Sequence, residues 1–237
     1  MQTISSASSR ATRGRDGRGD LTGTGADVRE GAPAGGRGLV TGPSSVHELV
    51  FEAIRSRRSF KLNDLSPEPI DPELVARMLE AANWAPSHGK TEPWRFVVFS
   101  GDARSLVGEA MGEAFRHVTP GDQFTDVGLE ATRDKVWKAP VWIALGMEPD
   151  RSRPHWEELI AFGCAVMNMQ LMACAQGLGC KWTSGKTAVH PLVAEAVGFG
   201  DAIEHRGFLY VGRPAIAWPE GERGPIEEKV RWIGGAP

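Results

Sequence analysis

The sequence is poor in the residues that mark several common chemistries. Cysteine occurs only at Cys164, Cys174 and Cys180, an odd number with no CxxC pair. Free thiols in a reducing, cytoplasmic setting fit that count better than a disulfide framework. No HExxH or paired-cysteine spacing offers a metal-ligand set, so no metal is expected. Basic charge is not in surplus either: the net charge is −3 and the pI about 6.1, leaving no overall footprint for nucleic acid. No run approaches the roughly 18 apolar residues of a membrane span, and the first twenty residues lack the apolar stretch of a secretory signal. Neither a membrane nor a nucleic-acid partner is expected.

Apolar residues are scarce over residues 1–44, which are mostly Gly, Ser, Ala and Arg. A segment with so little to bury cannot offset its ordering entropy and is expected to be disordered. The alternative is a basic arm on nucleic acid through Arg10, Arg13, Arg15 and Arg18, but Asp16 and Asp20 interrupt it and no aromatics interleave. The ordered domain is expected over 45–237.

Within that domain the periodicities are clear. Ser45 and Glu48 form a capping-box pattern before Val46, Leu49, Val50, Ala53 and Ile54 at helical spacing. Asp71 and Pro72 start a second helix with Leu74, Val75, Met78, Leu79 and Ala82 on one face. "RFVVF", "VWIALGM" and "HRGFLYVGRP" read as strands, and "CKWTSG" as a short strand or turn. A helix is expected from Asp102 to about His117, another within 118–139, and a short one from Pro191. "WEELIAFGCAVMNMQLMACAQGLG" is apolar almost all round, a pattern of a helix buried on every side, broken only by Asn168 and Gln170 and ended by Gly177 and Gly179. The last residues carry Trp218 and Trp232, too apolar for a solvated tail, and are expected to pack, plausibly on a partner subunit. These elements make an α/β or α+β sandwich.

The nucleotide motifs fail. Gly89-Lys90-Thr91 resembles the end of a phosphate loop, but Trp84 stands where its first glycine belongs; for Gly185-Lys186-Thr187 the residue there is Cys180. "GTGADV" lacks the third glycine of a dinucleotide fingerprint, and no GxSxG elbow occurs. What remains are polar clusters at the edges of apolar elements: 55–61, 87–94, 181–186 and Arg213.

Four of these stretches, "RRSFK", "AANWAPSHGKTEPWRFVV", "GCAVMNMQLMACAQGLGCKWTSG" and "GFLYVGRP", in this order and at these separations, resemble the FMN-dependent nitroreductase family over about residues 46–215, in particular its small bacterial NAD(P)H nitroreductases. The resemblance implies an α+β, three-layer sandwich with a mainly antiparallel sheet flanked by helices. It implies a homodimer with exchanged C-terminal arms and FMN in the interface.

The same resemblance supplies residue roles. Arg57, Arg58 and Ser59 would take the FMN phosphate, since guanidinium forks match phosphate oxygens; the alternative is complementing a helix dipole. Lys61 would lie near the flavin N1 and C2 carbonyl, or be merely solvated. His88 and Glu92 would reach FMN from the partner subunit, although relatives usually carry Gln where Glu92 stands, and His88 could instead cap its own turn. Trp182, Thr183 and Ser184 would pass the N5 edge, with Trp182 alternatively plain core. Arg213 would reach the phosphate or form a surface ion pair. No protein residue is assigned a catalytic role, because FMN carries the chemistry: NAD(P)H donates hydride and a small-molecule oxidant, a nitroaromatic or quinone, accepts it. Flavin breakdown, reductive dehalogenation, and FMN binding with little turnover are the alternatives.

Overall fold

Alternation along two central strands divides the molecule. In β2 (Val141–Met147), residues Val141, Ile143, Leu145 and Met147 enter one core, while Trp142 and Ala144 enter another. β4 (Glu204–Gly212) repeats this, with Leu209 and Val211 on one side and Phe208 and Tyr210 on the other. Successive strand side chains point to opposite faces. Both sets are buried, so the sheet needs a cover on each face. β1 (Trp94–Ser100) and β3 (Gly179–Thr183) flank them in the order β1-β2-β4-β3, every pair antiparallel.

The computed structural model describes residues 45–235; the expected N-terminal extension, 1–44, lies outside the described residues. One face of the sheet is covered by α2 (Pro72–Asn83) and α5 (His155–Ala175), with α1 (Val46–Ser56) beside α5. The other face is covered by α3 (Arg104–Val118) and α6 (Pro191–Ala196), with α4 (Asp126–Arg133) packed on α3. This is the expected three-layer α+β sandwich.

Local signals set several boundaries. Asp71 caps α2, its carboxylate accepting the Glu73 N–H at 2.9 Å, and Pro72 follows at the first helical position. The capping box expected at Ser45 does not form. The Ser45 hydroxyl contacts His47 Nε2 at 3.2 Å instead, and only its carbonyl serves the helix.

Two helices depart from expectation more usefully. α5 is not buried on every side. Ala161, Phe162, Ala165, Val166, Met169 and Ala173 are buried, but Trp156, Leu159, Ile160 and Met167 on the opposite face are 41–62% exposed. The sheet and α2 cover only one side of it. With a mean hydropathy of 1.4 it is also apolar enough by composition to cross a membrane, more than the sequence reading allowed. Its packing on the sheet and its bonded Glu158, Asn168 and Gln176 neighbourhood mark it as the central helix of this fold. α1 buries no residue: Val46, Leu49, Val50, Phe51 and Ile54 are all more than half exposed. The tail also divides. Trp218 packs on its own chain, its ring edge-on to Phe60 at 5.0 Å, whereas Ile226, Trp232 and Ile233 are exposed.

Candidate functional site

Phe60 organises the first cluster. Its ring is fully buried, its N–H donates to the Cys180 carbonyl at 3.1 Å, and its carbonyl accepts from the Tyr210 hydroxyl at 3.0 Å. Ser59 forms a parallel bridge with Cys180, laying residues 57–61 against the start of β3. With Phe60 turned inward, Ser59 and Lys61 on either side are exposed. Arg57 is half-buried, and its Nη1 donates to Ser59 Oγ at 3.5 Å and to Gln170 Oε1 at 3.4 Å. Both contacts are long and both acceptors neutral. Among the described residues no carboxylate pairs with Arg57, so its guanidinium has donor capacity left for an anion.

The neighbouring Cys180 thiol is not a reactive partner. Burial pushes the Cys180 thiol up to about 12, against the opposing pull of Arg57, so it stays protonated. Burial likewise raises the Tyr210 phenol to about 12, keeping its hydroxyl a donor to Phe60.

Arg58 does something other than face an anion. Its Nη1 donates to the carbonyls of Arg55 at 2.7 Å and Arg57 at 2.8 Å, and its Nε to that of Pro219 at 3.0 Å. The guanidinium is thus committed to backbone carbonyls. Arg213 is exposed just past β4, with its carbonyl accepting the Ser66 N–H at 2.8 Å, at the same end of the sheet as Arg57. β3 runs from that end through Trp182 and Thr183 to the exposed Ser184. The Trp182 indole N–H is tied to the Arg206 carbonyl at 2.7 Å and its ring meets Phe162 edge-on at 5.8 Å, so it is largely a packing residue.

The second cluster lies at the other end of the sheet. The turn after α2 places Gly89, Lys90 and Glu92 at φ 69°, 59° and 47°. Left-handed conformations strain non-glycine residues and persist only when the surroundings hold them. Here Thr91 Oγ1 donates to the buried Glu158 at 2.9 Å, the Glu92 N–H donates to Ser87 Oγ at 3.2 Å, and Arg95 donates to the Glu92 carbonyl at 2.9 Å. Glycine suits position 89 because its φ of 69° lies in the left-handed region; a Cβ there would also meet the end of the Arg153 side chain. His88 does not cap its own turn: its Nδ1 pairs with Glu157 of α5 at 2.5 Å. The Glu92 carboxylate is exposed. A cavity of about 450 Å³ opens between this turn and α5, lined by His88, Trp156, Ile160 and Cys164.

The structure therefore brings Arg57, Ser59, Lys61 and Arg213 towards one end of the sheet and His88 with Glu92 to the opposite end. The α5 partners of the two clusters, Gln170 and Glu157, are thirteen residues apart, about 20 Å of helix. Between them runs the exposed apolar face of α5. Sequence reasoning missed Gln170 and Glu157 as partners, noting the first only as an interruption; both depend on which residues face α5 across long sequence separations.

Comparison with known proteins adds a family. Residues 54–213 match the model of the Nitroreductase family. The Escherichia coli protein named "Putative NAD(P)H nitroreductase YdjA" is 33% identical over 146 residues, 61% of this chain and 78% of that protein. The crystal structure of a nitroreductase-like family protein from Bacillus cereus superposes with a TM-score of 0.68 at 28% identity, covering 83% of this chain and 100% of that one. The Desulfovibrio desulfuricans protein described as a "putative nitroreductase in complex with FMN" gives a TM-score of 0.62 at 25% identity over 79% and 98% of the two chains.

Proposed function

The chain belongs to the nitroreductase family, and from that premise we propose that it is an FMN-dependent oxidoreductase that uses NAD(P)H to reduce nitroaromatic or quinone-type acceptors, with each FMN held between two protomers. The carrying observation is the half-buried Arg57, paired with no carboxylate among the described residues and joined to Ser59, on a chain whose other polar cluster, His88 and Glu92, lies at the far end of α5. Neither cluster is a whole site. A two-fold contact through the exposed faces of α1 and α5, with its axis perpendicular to α5, would set the far end of one helix beside the near end of its copy, since a two-fold interface uses the same patch twice. The two clusters then meet, one from each protomer.

Bound FMN would supply the hydride transfer between NAD(P)H and the acceptor, with the two taking turns at one site. The chain's residues bind and orient. Arg57 and Ser59 hold the phosphate, with Arg213 adding positive charge at the same end. Lys61, exposed beside them, favours negative charge on the ring. The end of β3 at Thr183 and Ser184 offers backbone and hydroxyl groups to the ring edge, with Trp182 packed behind. His88 and Glu92 of the partner subunit would complete the polar contacts, and the open cavity beside His88, walled by Trp156 and Ile160, offers room for a flat acceptor. Arg58 drops out of the phosphate grip. The free thiols Cys164, Cys174 and Cys180 suit a reducing compartment.

The test is steady-state NAD(P)H oxidation by FMN-loaded protein, with and without a nitroaromatic or a quinone, run anaerobically and in air. Acceptor-dependent oxidation of either nicotinamide supports the reading. Bound flavin with no acceptor-dependent turnover overturns the enzymatic part, and consumption of the flavin itself under oxygen points to flavin breakdown instead.

A further inference from the structure

A helix leaves its last carbonyls without donors of its own. At the end of α1 they are met from outside. Arg58 takes the carbonyls of Arg55 and Arg57, and the Trp218 indole N–H takes that of Ser56 at 2.7 Å. Arg58 then passes on to the Pro219 carbonyl, and the Trp218 ring stands edge-on to Phe60. Gly221 lies against the guanidinium, where a Cβ would overlap its central carbon. Because α1 buries none of its own residues, this helix end is held by its contact with α5, where Ser56 Oγ meets Cys174 Sγ at 3.4 Å, by the Ser59–Cys180 bridge that follows it, and by this clasp of Arg58 and Trp218.

We propose that Arg58 and Trp218 are positioning residues for the cofactor phosphate: the tail clasps the end of α1 and so sets the direction in which Arg57 and Ser59 project. The inference rests on the reading that Arg57 and Ser59 hold the FMN phosphate. It gives the pair of adjacent arginines two separate jobs, Arg57 facing the anion and Arg58 holding the backbone beneath it. It also couples phosphate affinity to docking of residues 218–221, far from the phosphate in sequence.

The experiment titrates the full-length apoprotein with FMN and with riboflavin, which lacks the phosphate, following flavin fluorescence. Trp218→Phe removes the indole N–H donor and one ring's worth of packing while leaving an aromatic ring beside Phe60; Gly221→Val sets a side chain against the Arg58 guanidinium and disturbs its contact with the tail. Each is expected to weaken FMN binding roughly three- to tenfold, the scale of one lost hydrogen bond, and riboflavin binding by less than about twofold. If Arg57→Ala selectively loses FMN while both tail variants bind FMN like the wild type, the clasp is not a positioning device. Equal loss of FMN and riboflavin in the tail variants also overturns it. If Arg57→Ala itself fails to separate the two flavins, the phosphate assignment falls, and this proposal with it.

Discussion

At the scale of single residues, the proposal separates two cations by what each should affect. Arg57→Ala should weaken FMN binding roughly ten- to a hundredfold, as charge-assisted contacts to a partly buried phosphate are worth about 1.5–3 kcal/mol, and leave weak riboflavin binding almost unchanged. Lys61→Ala should cost little FMN affinity but lower the flavin reduction potential and slow its reduction by NAD(P)H; an unchanged potential would remove Lys61 from the ring. A different residue governs acid stability. His205 lies between Phe199 and Phe208, with Nε2 donating to the Gly207 carbonyl at 3.0 Å and Nδ1 buried without a partner. Burial lowers its pKa from 6.5 to about 4, the Gly207 contact opposing. Between those values the unfolded chain binds the proton and the folded one does not, so this contribution to stability is intact above pH 6.5 and is lost as pH falls towards 4. His205→Gln should flatten the fall in melting temperature over that window; slopes parallel to wild type would show that other groups control it. The sequence showed that 55–61 was a polar cluster at the edge of an apolar element. It could not show which of two adjacent arginines turns outward, because that depends on where the Pro219 carbonyl lands.

At the scale of elements, the alternating strands and the Asp71-Pro72 helix start were legible because they arise from local periodicity and capping. The coverage of α5 was not, since uniform apolarity looks the same whether a helix is wrapped by its own chain or by a copy of it. Ile160→Glu or Met167→Glu would put a charge on the face assigned to the partner. Either should shift the protein to monomer and release FMN with it, read by sedimentation and flavin content. A monomer retaining FMN at full affinity would contradict the two-protomer site. The 88–92 turn depends on α5 as well. Glu158→Ala leaves the Thr91 hydroxyl and the Asp150 N–H without their acceptor, at about 1–3 kcal/mol for each stranded group. Urea unfolding should show a loss on the order of 2–4 kcal/mol, and a loss under about 0.5 kcal/mol would mean that solvent replaces the carboxylate freely.

At the scale of the whole molecule, the tail has two parts with different jobs. Trp218 and Pro219 contact the end of α1, and in the proposed dimer the exposed Ile226, Val230, Trp232 and Ile233 beyond them would be the arm offered to a second copy. The sequence marked the tail as too apolar for solvent but gave no sign of this division, because Trp218 and Trp232 differ only in what they meet in space. Ending the chain after Gly221 should weaken the dimer and spare the clasp; ending it after Pro214 should lose dimer and FMN together. The central claim is that one flavin is held by two protomers. Its most direct test is sedimentation velocity of the purified, FMN-loaded protein, followed both by protein absorbance and by the visible flavin band. The account predicts that the flavin band sediments at dimer mass with one FMN per protomer and that diluting the protein to monomer sets the flavin free. Flavin that stays with a monomer, or a dimer that binds none, would contradict it.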